Sequence, residues 1–79
     1  MVTKVVLPKW GMGIDEGTVI QWLKAEGDAV TQGEPIVEIE TAKATQAVES
    51  PVSGRLSKIL MGAGETVAVN TVIGLIEDA

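Results

Sequence analysis

The feature that most constrains this chain is an internal repeat: the second half, slid over the first, matches it without a gap at an offset of 37 residues, as from Gly17 to Gly54. The match pairs Val19 with Leu56, Trp22 with Ile59, Leu23 with Leu60, Gly27 with Gly64, Asp28 with Glu65, Val30 with Val67, Ile36 with Ile73, Ile39 with Ile76 and Glu40 with Glu77. Glycines fall on glycines at turns, and apolar residues fall on apolar residues at the pairs a core needs. Two such halves, neither able to bury its apolar face alone, are expected to pack as a sandwich or flattened barrel about an approximate two-fold axis.

Gly and Pro divide the sequence into short segments rich in Val, Ile and Thr, and no stretch sustains a helical period. The fold class is therefore all-β. Strands are predicted at Val2–Leu7, Thr18–Leu23, Ile36–Thr41, Ala44–Glu49, Arg55–Leu60 and Val72–Glu77, with short extended pieces at Ala29–Val30 and Thr66–Val67. Turn signals such as Glu26-Gly27-Asp28, Gly33-Glu34-Pro35 and Gly62-Ala63-Gly64 separate them. At 79 residues the chain suits a single domain over residues 1–79, with no room for a cleft between two cores.

Composition narrows the function. The chain has no Cys and no His, which removes thiolate chemistry, the usual general base and the commonest metal ligand. No metal site is expected. The formal charge of −5, with acids scattered along the chain, argues against a nucleic-acid partner. No apolar run approaches a membrane span or a secretion signal, so a cytoplasmic location and no membrane partner are expected.

One residue is singled out by position. Glu38-Ile-Glu-Thr-Ala-Lys-Ala-Thr-Gln-Ala-Val-Glu49 reads as strand, tight turn, strand, with Lys43 at the bend and at the junction of the two repeats. A lysine on a hairpin is ordinarily a solvated charge, and composition does not rank Lys43 above Lys4, Lys9, Lys24, Arg55 or Lys58. Its place does. Adding the repeat offset to residue 43 leads just past the last residue, so the Lys43 hairpin and the chain termini should occupy equivalent, opposite ends of the domain. Imine chemistry at Lys43 would require a desolvated amine, and an exposed bend offers none.

The halves differ at one place. Gly17 follows Pro8 by nine positions whereas Gly54 follows Pro51 by three, so six extra residues lie within Lys9–Glu16. Long loops in small domains tend to carry function, and a first strand running the length of the domain would deliver this one beside Lys43.

Leu7-Pro8 with Gly11, Glu16-Gly17-Thr18-Val19, Trp22-Leu23-Lys24-Ala25-Glu26-Gly27-Asp28, Gly33-Glu34-Pro35, Glu38-Ile39-Glu40-Thr41-Ala42-Lys43-Ala44, Ser50-Pro51 with Gly54, and Gly64-Glu65 together resemble the biotinyl/lipoyl carrier domains. The closer resemblance is to the lipoyl domains of dihydrolipoyl acyltransferases, over essentially the whole chain. It implies a flattened barrel of two four-stranded antiparallel sheets, with lipoate joined to Lys43 by an amide and Glu40, Thr41, Ala42 and Ala44 as the flanking recognition residues. It further implies a swinging arm that is reductively acylated by a thiamine-diphosphate decarboxylase, passes its acyl group to coenzyme A at an acyltransferase catalytic domain and is reoxidised by dihydrolipoyl dehydrogenase. A lipoate-protein ligase would attach the arm. The domain itself would be a monomeric, non-catalytic carrier.

Biotin is the alternative cofactor, as in a biotin-dependent carboxylase, but biotin carriers usually flank their lysine with Met on both sides, where this chain has Ala42 and Ala44. An unmodified structural module of the same fold is a further alternative, in which a lysine at the hairpin is not expected. The lipoyl motif commonly has Asp where Ala42 stands. Pro8-Lys9-Trp10-Gly11-Met12 is similar to the opening of lipoyl domains from acetoin-dehydrogenase-type complexes. Within the long loop, Lys9, Trp10, Met12 and Asp15 are expected to form part of the surface read by the decarboxylase. Trp22, the repeat mate of Ile59, is expected in the core.

Overall fold

Short runs of β-branched residues between turn residues cannot satisfy their backbones alone, so each strand must find partners on both sides or lie at an edge. In the computed structural model, which describes residues 1–9 and 13–78, they form eight strands. These are β1 (Val2–Val6), β2 (Glu16–Trp22), β3 (Ala29–Val30), β4 (Pro35–Glu40), β5 (Thr45–Glu49), β6 (Gly54–Ile59), β7 (Thr66–Ala68) and β8 (Val72–Asp78). They assemble into two four-stranded antiparallel sheets in the orders β1-β8-β6-β3 and β5-β4-β2-β7. The sheets face each other and do not close into a continuous barrel.

Exchanging β1 with β5, β2 with β6, β3 with β7 and β4 with β8 turns one sheet order into the other. The two-fold expected from the repeat is therefore present, and it holds down to individual pairs. Val2 faces Glu77 as Thr45 faces Glu40, and the irregularity between Val5 and Val6 has its mate between Pro35 and Val37. Gly27 N–H donates to Leu56 O at 2.7 Å, and Gly64 N–H donates to Val19 O at 2.7 Å. The turn position held by Gly33 (φ 86°) is held in the other half by Asn70 (φ 68°), the residue type that best tolerates the left-handed region after glycine.

The core follows the same symmetry. Val5 and Val48, Val19 and Leu56, Val30 and Val67, Ile36 and Ile73, and Ile39 and Ile76 are all buried, each pair related by the two-fold. Where it breaks, volumes are exchanged. Leu7 is buried at one end while its counterpart Ser50 is buried at the other, its hydroxyl donating to Val52 O at 2.6 Å so that no polar atom is stranded. Gly74 stands in place of Val37, and the space is taken by the indole of Trp22, against which a Cβ at position 74 would press at 2.8 Å. Trp22 is half-buried and packs against the core from its margin, because its N–H must reach Met61 O at 2.7 Å.

The predicted strands match those observed to within two residues at either end. Gly17 and Glu16 join β2 because Val67 and Ala68 offer them cross-strand partners. Thr41 and Ala44 leave β4 and β5 because they bond each other across the turn. At the Thr31–Glu34 turn, the Glu34 carboxylate accepts Thr31 N–H at 2.9 Å and pairs with Lys24 at 3.2 Å, and these partners hold its carboxyl below the ordinary carboxylate value.

The domain measures 35 × 21 × 17 Å, and the two-fold puts different features at the two ends of its length. At one end β8 and β1 bring the termini together, with Asp78 N–H donating to Met1 O at 2.8 Å. The equivalent bond at the other end, Thr41 N–H to Ala44 O at 2.9 Å, closes the β4–β5 hairpin. The chain leaving β1 brings Leu7 to that second end, where its Cδ2 and the Glu40 carbonyl both lie beside Gly17.

Candidate functional site: a lysine-tipped hairpin

The hairpin grows from β4, a central strand of its sheet, so the bend is carried on a support paired on both sides. Glu40 opposite Thr45 is the last ladder pair, and Thr41–Ala44 makes the reversal. Thr41 is half-buried, whereas Ala42, Lys43 and Ala44 are exposed. The Lys43 backbone is held from beneath: Thr41 Oγ1 accepts from Lys43 N–H at 3.4 Å and from Ala44 N–H at 3.3 Å, and donates to Ala44 O at 3.0 Å. The result is an exposed lysine on a fixed turn at the end of the domain remote from the termini.

The long loop meets this end, as expected. A cleft beside the hairpin is lined by Gly13, Ile14, Asp15, Glu16, Gly17 and Thr18 on one side and by Glu40, Thr41 and Ala42 on the other. Lys9 and Asp15 are exposed. Trp10 and Met12, the other two residues expected to form a recognition surface, lie outside the described residues. Sequence reasoning missed Ile14, which is only 6% exposed and roots the loop in the domain, while Asp15 O accepts Val69 N–H at 2.9 Å. The signal was there in a single β-branched aliphatic residue flanked by glycine and aspartate, a composition that otherwise marks solvated loop.

Charge divides unevenly between the sheets. The strands of the hairpin's sheet carry Glu16, Glu38, Glu40 and Glu49 and no basic residue. The strands of the other sheet carry Lys4, Arg55 and Lys58 against Glu77 and Asp78. Lys43 is thus a cation at the tip of an anionic face, and that field can orient the domain as it approaches a partner of opposite sign.

Among the described residues no group of three or more His, Cys, Asp or Glu is arranged to hold a metal ion, and no helix is long and apolar enough to cross a membrane. Lys43 is thus an exposed lysine on a turn braced by its own hairpin.

Comparison with known proteins agrees with this geometry. The family model described as that of biotin-requiring enzymes matches residues 3–76. The chain is 44% identical over 77 residues to the dihydrolipoyllysine-residue succinyltransferase component of the 2-oxoglutarate dehydrogenase complex of Bartonella vinsonii subsp. berkhoffii, covering 98% of this chain and 19% of that protein. It is 40% identical over 78 residues to the dihydrolipoyllysine-residue acetyltransferase component of the acetoin cleaving system of Cupriavidus necator, covering 99% of this chain and 21% of that protein. The chain thus spans about a fifth of the length of these curated relatives. Among solved structures, the lipoyl domain of the 2-oxoglutarate dehydrogenase complex from Azotobacter vinelandii superimposes with a TM-score of 0.75 at 34% identity, over 96% of this chain and 98% of that one.

Proposed function

Because the chain belongs to the biotin/lipoyl attachment family and its sequence is 34% identical to a lipoyl domain, we propose that it is a lipoyl carrier domain whose Lys43 bears the cofactor. The observation that carries this reading is the exposed Lys43 on a side-chain-braced turn at the pole opposite the termini. An arm placed there sweeps the space away from any polypeptide joined to the termini.

When bound, lipoate supplies a dithiolane, a two-electron acceptor whose thiols can carry an acyl group. The residues of this chain supply the rest. Lys43 provides the amine for the amide, Thr41 and the β4–β5 ladder fix where the arm starts, and the neighbouring loop offers side chains by which a partner enzyme distinguishes this carrier. The domain is non-catalytic: the chemistry belongs to the cofactor and to partner enzymes. Those partners are a thiamine-diphosphate decarboxylase, an acyltransferase catalytic domain that uses coenzyme A, dihydrolipoyl dehydrogenase and a lipoate-protein ligase. The parent protein is an acyltransferase component of a 2-oxoacid or acetoin dehydrogenase complex, located in the cytoplasm, and residues 1–79 act in it as one monomeric module. Tethering gives an effective concentration on the order of millimolar, so each domain–partner contact can be weak and quickly released.

Lipoate is favoured over biotin by the alanines on both sides of Lys43 and by relatives named for dihydrolipoyl-lysine. Intact mass after incubation with lipoate, ATP and a lipoate ligase, run beside a biotin ligase with biotin, separates the two. A single lipoyl increment with little biotin uptake is expected, and efficient biotinylation without lipoylation would reverse the assignment.

The loop gives a second expected result. Shortening Lys9–Glu16 would remove the buried Ile14 and the Asp15 bond to Val69, so point changes are the cleaner probe. The double variant Lys9→Ala/Asp15→Ala should melt as the wild type does and be lipoylated at the same rate. Reductive acylation by the cognate decarboxylase should fall by about threefold to tenfold, the scale for two charges at the rim of an interface. An unchanged acylation rate would leave the loop only the role of closing the end of the sandwich.

A further inference from the structure

The turn that presents Lys43 is unusual in what it lacks. Thr41-Ala42-Lys43-Ala44 contains no Gly, Asn, Asp or Pro, the residues that ordinarily hold a tight reversal. Among the described residues no non-glycine except Asn70 adopts a positive φ, so the bend does not depend on a left-handed residue either. What holds it, besides the backbone bond from Thr41 N–H to Ala44 O, is one hydroxyl. Thr41 Oγ1 donates its single hydrogen to Ala44 O at 3.0 Å and takes Lys43 N–H at 3.4 Å and Ala44 N–H at 3.3 Å on its lone pairs, which uses its whole hydrogen-bonding capacity inside the turn. Between Glu40 and Ala47 every other residue is exposed.

The other end of the domain shows that this bracing is not a by-product of the two-fold. The counterpart of Thr41 is Asp78, which repeats the backbone bond by donating to Met1 O at 2.8 Å. Its carboxylate, however, accepts the Thr3 hydroxyl at 2.7 Å on the neighbouring strand. Position 78 therefore repeats the backbone bond without a side chain folded back beneath it, and the bracing by Thr41 Oγ1 has no counterpart at its two-fold mate.

We propose that Thr41 is a positioning residue for the modification of Lys43: its hydroxyl holds Thr41–Ala44 in the shape that a modifying enzyme accepts, taking the part that a turn-forming residue at position 42 would otherwise play. The inference rests on the reading of Lys43 as the attachment residue. In the reaction the unprotonated Lys43 amine attacks the carbonyl of an acyl-adenylate of lipoate, made by the ligase from ATP. The amide C–N bond forms, the bond to AMP breaks, AMP leaves and the amine releases a proton. Thr41 touches none of these atoms. It fixes the backbone from which the flexible side chain of Lys43 reaches them, and misplacement of a reacting group costs rate even when the chemistry is intact.

The test compares Thr41→Val, which keeps the shape and removes the hydroxyl, with Thr41→Ser, which keeps the hydroxyl. Three quantities are measured: melting temperature, amide hydrogen exchange at Lys43 and Ala44, and kcat/KM of a lipoate ligase with each folded domain as substrate. Thr41→Val should melt near the wild-type temperature, exchange faster at both amides, and lose about tenfold in kcat/KM, the scale of one net hydrogen bond. Thr41→Ser should stay within about twofold of wild type on the same scale. A Thr41→Val domain lipoylated at the wild-type rate, or a Thr41→Ser domain as impaired as Thr41→Val, overturns the proposal. A wild-type domain that takes up no lipoyl group removes the premise, an outcome distinct from a wild type and a Thr41→Val that are modified equally well.

Discussion

Lys43→Gln is expected to fold as the wild type does and to take up no lipoyl group from a lipoate ligase, while the unaltered domain gains a single increment. The stability side follows from exposure: the side chain leaves the tip of the hairpin and contributes nothing to the core, so the change should stay within about 0.5 kcal/mol, the usual range for surface substitutions. Loss of modification is complete because no other lysine is presented in the same way. Lys4 and Lys58 lie within strands of the opposite sheet, Lys24 is paired with Glu34 at 3.2 Å, and Lys9 sits in the loop before β2. Moving the lysine one place, as Lys43→Ala with Ala44→Lys, should also fail. Residue 44 is the one whose carbonyl takes both Thr41 bonds, and a one-residue step re-aims the side chain. Intact mass with peptide mapping reads both results, and equal lipoyl uptake by Lys43→Gln and wild type would refute the assignment.

The largest stability effect is expected at a glycine far from the lysine. Gly17 and Gly54 are two-fold mates, yet their substitution by alanine should differ in cost. At Gly54, which pairs with Val30 and with Asp78, an added Cβ would collide with the Glu77 carbonyl and come within about 3.1 Å of the Asp78 Cα, so β6 and β8 would have to part. At Gly17 the obstacle is a side-chain methyl, Ile39 Cγ2 at 2.5 Å, with Leu7 Cδ2 and Glu40 O at ordinary contact of 3.5 Å. Ile39 is fully buried, so its methyl moves only by straining neighbours, and Gly17→Ala should cost about 1–3 kcal/mol as overpacking does. Gly54→Ala should cost more than about 3 kcal/mol, because a paired backbone has fewer ways to yield. For a domain this small the total margin lies near the lower end of about 5–15 kcal/mol, so Gly54→Ala should be largely unfolded well below the wild-type melting temperature. Urea unfolding of the two variants gives the comparison. Equal losses, or a larger loss at Gly17, would mean that the strands part more readily than this packing implies.

Much of this protein was legible before any coordinate. The repeat specified the element order, the pairing of core residues and the placing of Lys43 and the termini at opposite ends, because turn chemistry and apolar periodicity are local properties that each half states twice. The six-residue excess in Lys9–Glu16 likewise marked the loop that now lines the cleft beside Ala42. Resemblance to lipoyl domains added the proposed cofactor and partners, which no periodicity contains.

What the tertiary structure alone decided is where the two-fold is broken and how the turn is held. Trp22 lies at the margin of the core because Gly74, fifty-two positions later, leaves room for its ring and Met61 supplies an acceptor for its N–H. Ser50 replaces the buried Leu7 because Val52 O satisfies its hydroxyl, and Ile14 is drawn inward although its neighbours read as solvated loop. Gly17 and Gly54 look identical in the repeat, yet one faces a methyl and the other a carbonyl. Each of these depends on the distance between atoms brought together by strand pairing and sheet packing. A sequence records which residue occupies a position, but the volume left to it and the partner for each polar atom exist only once the two sheets have closed on each other.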